Sequence, residues 1–126
     1  RVCSGNDACI LAIGKMLEPA IEAANTLQSQ GIECSVWDVR CVSPLDHEML
    51  ENAYSHPIVI TIEDGIVEGG IGTAIQNRLS EFDGPSPFMR TMGVPVSYIP
   101  QGNSEFILSD LGLDAEGISA AILSLQ

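Results

Sequence analysis

The sequence predicts an α/β fold: a three-layer, doubly wound sheet, mostly parallel, with about four parallel strands. Three observations carry this reading. Apolar, strand-like runs alternate with segments of helical spacing along the whole chain. The run Ile58, Val59, Ile60, Thr61, Ile62 leads directly into Glu63, Asp64 and a glycine cluster, after which Ile71, Ala74, Ile75 and Leu79 recur at helical spacing. Strand, tight turn and helix in that order make half of a βαβ unit. No repeat, charge block or Ser- or Gly-rich linker divides the chain, so residues 1–126 read as a single domain.

Each element follows from its residues. Cys9 to Ile13 reads as a buried strand broken by Gly14, and Leu17, Ala20, Ile21, Ala24 and Leu27 as one helix face, with Pro19 tolerated in the first turn. That helix stops near Gly31. Glu33 to Val39 alternates into a second strand. Ser43 then offers an N-cap, Pro44 a first helical position and Asp46 an acid in the first turn of a short helix reaching about His56, where Pro57 ends it. The Ile58 to Ile62 strand and the glycine-led helix, to about Phe82, come next. Asp83 to Pro87 is a loop, Phe88 to Gly93 a fourth strand, and Val94 to Pro100 extended because its prolines deny a helix. Asn103 or Ser104 caps a helix carrying Phe106, Ile107 and Leu111. Asp114 caps a last one with Ile118, Ala121, Ile122 and Leu125 on one face. Arg1 to Ser4 is expected as an antiparallel edge strand, joined by a hairpin through Gly5, Asn6 and Asp7.

Composition narrows the function classes. At 45% hydrophobic residues and a mean hydropathy of +0.22, the chain can bury a proper core. Seventeen acids against five bases give a formal charge of −12, which repels phosphate backbones and anionic membrane surfaces, so neither nucleic acid nor membrane is an expected partner. The apolar runs are far shorter than the roughly 20 residues needed to cross a bilayer, and Arg1 to Asp7 has no signal-peptide core. Cys3, Cys9, Cys34 and Cys41 form no CxxC pair and lie in or beside apolar segments, so buried free thiols in a reducing cytoplasm are expected rather than disulfides or zinc. The chain opens on Arg1 rather than methionine, which reads as the middle of a longer protein.

Chemistry in such a fold belongs at the carboxyl ends of the strands, near Gly14, Asp38, Arg40, Glu63, Asp64 and Gly93. Glu63 and Asp64 have the makings of an acid/base pair or of hard-metal ligands. The simpler expectation is an acid stabilised beside a helix N-terminus, worth about 0.3–1 kcal/mol. Gly69, Gly70 and Gly72 resemble a phosphate cradle, but Ile75 stands where a dinucleotide fingerprint needs Gly or Ala, and no basic residue is near; close packing is expected instead. His47 reads as an exposed helix residue without a nucleophile to serve, His56 as a helix-end residue with no further role, and Arg40 and Arg90 as partners in internal salt bridges. No catalytic, cofactor-binding or metal-binding set assembles. Glu63, Asp64, Gly69, Gly70 and Gly72 remain as structural or interface candidates.

The succession VWDVRCVSPLD (Val36 to Asp46), VITIEDGIVEGGIGTAI (Val59 to Ile75), GVPVSYIPQG (Gly93 to Gly102) and LGLDAEGISAAI (Leu111 to Ile122) resembles the C-terminal, transketolase-like domain of 1-deoxy-D-xylulose-5-phosphate synthases, with Leu11 to Ala24 fitting its first strand-helix unit. The likeness covers nearly the whole chain in the right order. Pro100 to Gly102 followed by LGLDAEGI favours the synthases over transketolase proper or the β subunit of 2-oxo acid dehydrogenases. The resemblance implies a parent of three domains that condenses pyruvate with glyceraldehyde 3-phosphate, releasing carbon dioxide, with thiamine diphosphate and magnesium. It also implies that the cofactor motifs lie in the other domains, the GDG diphosphate motif being absent here, and that this domain is non-catalytic, packs on the remaining domains of its parent and helps form the parent's homodimer. The rival reading is a free-standing binding module or partner subunit with a ligand site at the strand ends.

Overall fold

Residues 2–40, 45–66, 70–94 and 112–126 are described by the structure, a computed structural model. The elements run β1 (Ala8–Ile13), a 3₁₀ turn (Gly14–Met16), α1 (Leu17–Gln28), β2 (Cys34–Val39), α2 (His47–Tyr54), β3 (Ile58–Ile66), α3 (Ile71–Leu79), β4 (Phe88–Val94) and α4 (Ala115–Ser124). The strands form one parallel sheet in the order β2-β1-β3-β4. Chain progression reverses across the β1/β3 pair, so the crevice between the carboxyl ends of those two strands is the place where this class of sheet takes ligands.

Alternation along β1 explains the three layers. Ala8, Ile10 and Ala12 join the core beneath α1 and α4, whereas Cys9, Leu11 and Ile13 join the core beneath α2 and α3. A strand buried on both faces reads as a continuous apolar run, and all six residues of β1 are buried. The doubly wound expectation holds.

Several boundaries differ from the sequence reading. Helix α2 starts at His47, and Asp46 is its cap, its carboxylate accepting from Glu48 N at 3.0 Å and Met49 N at 3.5 Å. Asp46 thus takes the capping role expected of Ser43. Strand β3 continues to Ile66, past the acids that seemed to end it, with a register irregularity against β4 between Ile62 and Ile66. Helix α3 ends at Leu79 rather than near Phe82. Asp114 caps α4 as expected, accepting from Gly117 N at 2.8 Å.

The N-terminal segment pairs antiparallel, but not through a hairpin. Cys3 bridges Val36 of β2, with Val2 N 2.8 Å from Val36 O and Val36 N 3.1 Å from Cys3 O. A hairpin would need a free side on β1, and both of its sides are taken, by β2 and β3. The expectations for Arg1, Cys41, Ser43, Pro44, Gly69, the segment 95–100 and the helix carrying Phe106, Ile107 and Leu111 lie outside the described residues.

Candidate functional site

The crevice at the β1/β3 switch point is built from Gly14, Glu63, Asp64 and the start of α3. Gly14 ends β1 with φ +69°, a conformation that L side chains rarely adopt. A Cβ there would lie 2.6 Å from Asp64 Oδ1, so the Asp64 carboxylate fills the space a side chain would need. Glu63 points the other way, only 4% exposed. Its Oε2 accepts from Ile71 N at 3.2 Å and its Oε1 from Gly72 N at 3.4 Å. These are amides of the first turn of α3, which lack a partner within the helix and would otherwise hold an anion. The chain supplies its own anion in their place.

The glycines around this turn have separate reasons. Gly70 is the N-cap of α3 in an extended conformation. Gly72 is buried against the sheet: a Cβ there would sit 2.6 Å from Thr61 Oγ1 and 3.4 Å from Thr91 Cγ2. Close approach of α3 to β3 and β4 therefore requires the missing side chain. Thr61 Oγ1 is buried without a hydrogen-bond partner. Glu63, Asp64, Gly70 and Gly72 are thus brought together, while Gly69 lies outside the described residues.

The other candidates stand apart. At the end of β2, Arg40 Nε pairs with Asp38 Oδ2 at 2.7 Å, the internal salt bridge expected of it. The hydrogen bond to Asp38, followed by its charge, raises the guanidinium pKa above its ordinary value. Arg90 instead donates from Nη1 to Ser124 Oγ at 3.3 Å, tying β4 to α4. His47 is exposed on α2, 2.8 Å from Glu51 Oε1 and stacked on Phe82. Among the described residues, no three or more His, Cys, Asp or Glu gather in a way that could hold a metal ion. No helix among them is long and apolar enough to cross a membrane.

His56 is the residue that the sequence reading undervalued. It is buried, at 4% exposure, and its ring contacts three separate parts of the chain. Nδ1 lies 2.7 Å from Asn52 O of α2, and Nε2 lies 2.7 Å from Gly5 O and 3.1 Å from Ser35 Oγ of β2. The available signal was Ser35, a polar residue set between Cys34 and Val36. Cys34, its neighbour, is a free thiol held between β2, α1 and the N-terminal segment. Burial, then Asp7, then Cys3 push the Cys34 pKa up to about 11.

Comparison with known proteins gives the family of the fold. The family model for the C-terminal domain of transketolase matches residues 1–118. A 1-deoxy-D-xylulose-5-phosphate synthase of Magnetococcus marinus is 40% identical over 96% of this chain, and synthase 2 of Geobacter sulfurreducens is 38% identical over 98% of it. The chain spans about 20% of the length of each. Among solved structures, the inactive β4 tetramer of a split-gene transketolase superposes with a TM-score of 0.86 at 34% identity, covering 98% of this chain and 40% of that one. A transketolase of Campylobacter jejuni superposes with a TM-score of 0.65 at 20% identity over 98% of this chain and 18% of its own, a likeness of fold.

Proposed function

The chain belongs to the transketolase C-terminal domain family, and from that membership we propose that it is the C-terminal, assembly-forming domain of a 1-deoxy-D-xylulose-5-phosphate synthase. The parent is a thiamine-diphosphate-dependent, cytoplasmic homodimer of three domains that joins pyruvate to glyceraldehyde 3-phosphate with loss of carbon dioxide. This chain supplies no catalytic group to that reaction. Its role is to hold the other domains and the second subunit in place, with residues 63–72 contributing to the contact.

One observation carries the non-catalytic reading: the switch-point crevice is filled by the chain itself. Glu63 occupies the amides at the start of α3, and Asp64 covers Gly14. A diphosphate would have to displace a buried carboxylate and then sit against its charge. The residues present therefore do not fit a thiamine diphosphate or its magnesium, and no step of the reaction is routed through them. The identity to the Magnetococcus and Geobacter synthases supports the choice of parent.

The experiment is a comparison of the parent enzyme with and without the stretch corresponding to residues 1–126. The reading expects the shortened enzyme to lose its dimer and its synthase activity together while the isolated chain has none. A shortened enzyme that remains dimeric and active would overturn it.

A further inference from the structure

The segment ahead of β1 lies along the outer edge of β2, held there by hydrogen bonds at its two ends and at its middle. Beyond the Val2 and Cys3 bonds to Val36, Asp7 Oδ2 accepts from Glu33 N at 2.8 Å, and Asp7 N donates to Glu33 O at 2.9 Å. Between these two points the segment is held at Gly5. Ser35 Oγ accepts from Gly5 N at 3.0 Å and donates to Gly5 O at 2.8 Å. A Cβ on Gly5 would overlap the backbone of Glu33 and Cys34, so the approach to β2 is as close as glycine permits.

His56 Nε2 lies 2.7 Å from the same carbonyl oxygen. It lies two residues past the end of α2, 51 positions from Gly5 in sequence, and its Nδ1 is 2.7 Å from Asn52 O; a neutral ring donates to one of these two carbonyls. We propose that residues 2–7 form a detachable strap over the edge of the sheet and that His56 is its clamp, joining the strap, β2 and α2 at a single buried ring. Without the ring, the strap leaves β2 while the rest of the sheet stays folded.

The asymmetry of the contacts supports this. Among the described residues, strap bonds reach β2, Glu33 just ahead of it and His56, and Val2 is half exposed. β1, β3 and β4, by contrast, are bonded to one another over long registers. Elements with few buried contacts open locally before the whole domain does. The strap also covers a strand edge that would otherwise be open to pairing with another chain. Any polypeptide joined ahead of residue 1 in a longer protein is attached to the sheet through this strap.

Cys34 reports directly on the clamp. Cys34 is only 5% exposed and lines a small pocket together with Cys3 and Ser4 of the strap and Ala24, Asn25 and Gln28 of α1. Two of the three causes that keep it protonated, Asp7 and Cys3, are strap residues. Release of the strap therefore exposes the thiol and makes it more reactive at once. Cys9, fully buried in β1 at the centre of the sheet, is the internal control.

The test is alkylation of His56→Gln and His56→Ala at one fixed pH, read cysteine by cysteine by peptide mapping, with hydrogen exchange at Val36 N alongside. The expected result is labelling of Cys34 faster by about ten-fold or more and faster exchange at Val36, with Cys9 unchanged and unfolding still cooperative. Unchanged labelling of Cys34 would overturn the clamp. A parallel rise at Cys9 would overturn it too, because the ring would then support the whole fold. Should the His56 variants fail to fold, Ser35→Ala removes both Ser35 bonds to Gly5 and must accelerate Cys34 selectively; if it does not, the strap is not held as proposed.

Discussion

Glu63 Oε1 accepts from the backbone amide of Gly72, nine residues later, so the end of β3 closes the start of α3 with the chain's own carboxylate. The same side chain reaches Ile71 N through its other oxygen. One acidic residue thus does what an N-capping side chain and a bound anion would otherwise do together.

Replacing Glu63 with Ala leaves those amides without partners in a buried site. The expected loss is about 1–2 kcal/mol, toward the lower end because both bonds are long. Glu63→Gln keeps an acceptor oxygen and is expected to lose less. Urea unfolding of the three proteins checks the order, and an Ala variant as stable as the parent chain would contradict the capping role.

Gly72→Ala places a Cβ 2.6 Å from Thr61 Oγ1 and is expected to cost about 1–3 kcal/mol through overpacking. The hydroxyl it meets has no hydrogen-bond partner, so removing it sacrifices no bond. The double variant Thr61→Ala with Gly72→Ala should therefore recover much of the loss, a non-additivity expected of neighbours in contact. Thermal melts of the two single variants and the double variant measure it. Strictly additive losses would mean that the clash lies elsewhere.

Cys34 gives the domain an alkaline sensitivity of known sign. In the folded chain its pKa is raised from 9.0 to about 11, so the folded thiol keeps its proton where the unfolded one loses it. Its contribution is complete below about pH 9 and is lost as pH rises toward 11, on the order of 2–3 kcal/mol across the window. Stability measured against pH for the parent chain and for Cys34→Ala should diverge in slope only above pH 9. Identical slopes would show that the thiol is not held protonated by the fold.

The sequence made the layers legible because their signals are local. The β-branched run at Ile58 to Ile62 and the spacing of Ile71, Ile75 and Leu79 need no distant partner to be read. Asp46 and Ser43 both suit an N-cap, and only backbone geometry decides between them, so the start of α2 was misplaced. β3 seemed to stop at Glu63 because an acid looks like a strand end, yet this one turns inward to α3. His56 was passed over because its partners Gly5 and Ser35 are 51 and 21 positions away. The hairpin expected at Gly5 to Asp7 failed for a similar reason: only the strand order reveals that β1 has no free side.

The most direct test of the central claim, that this domain contributes assembly and not cofactor chemistry, is calorimetric titration of the chain with thiamine diphosphate and magnesium. The account predicts no saturable heat, because Glu63 already holds the amides of α3 and Asp64 covers Gly14. A single site with micromolar affinity would contradict it.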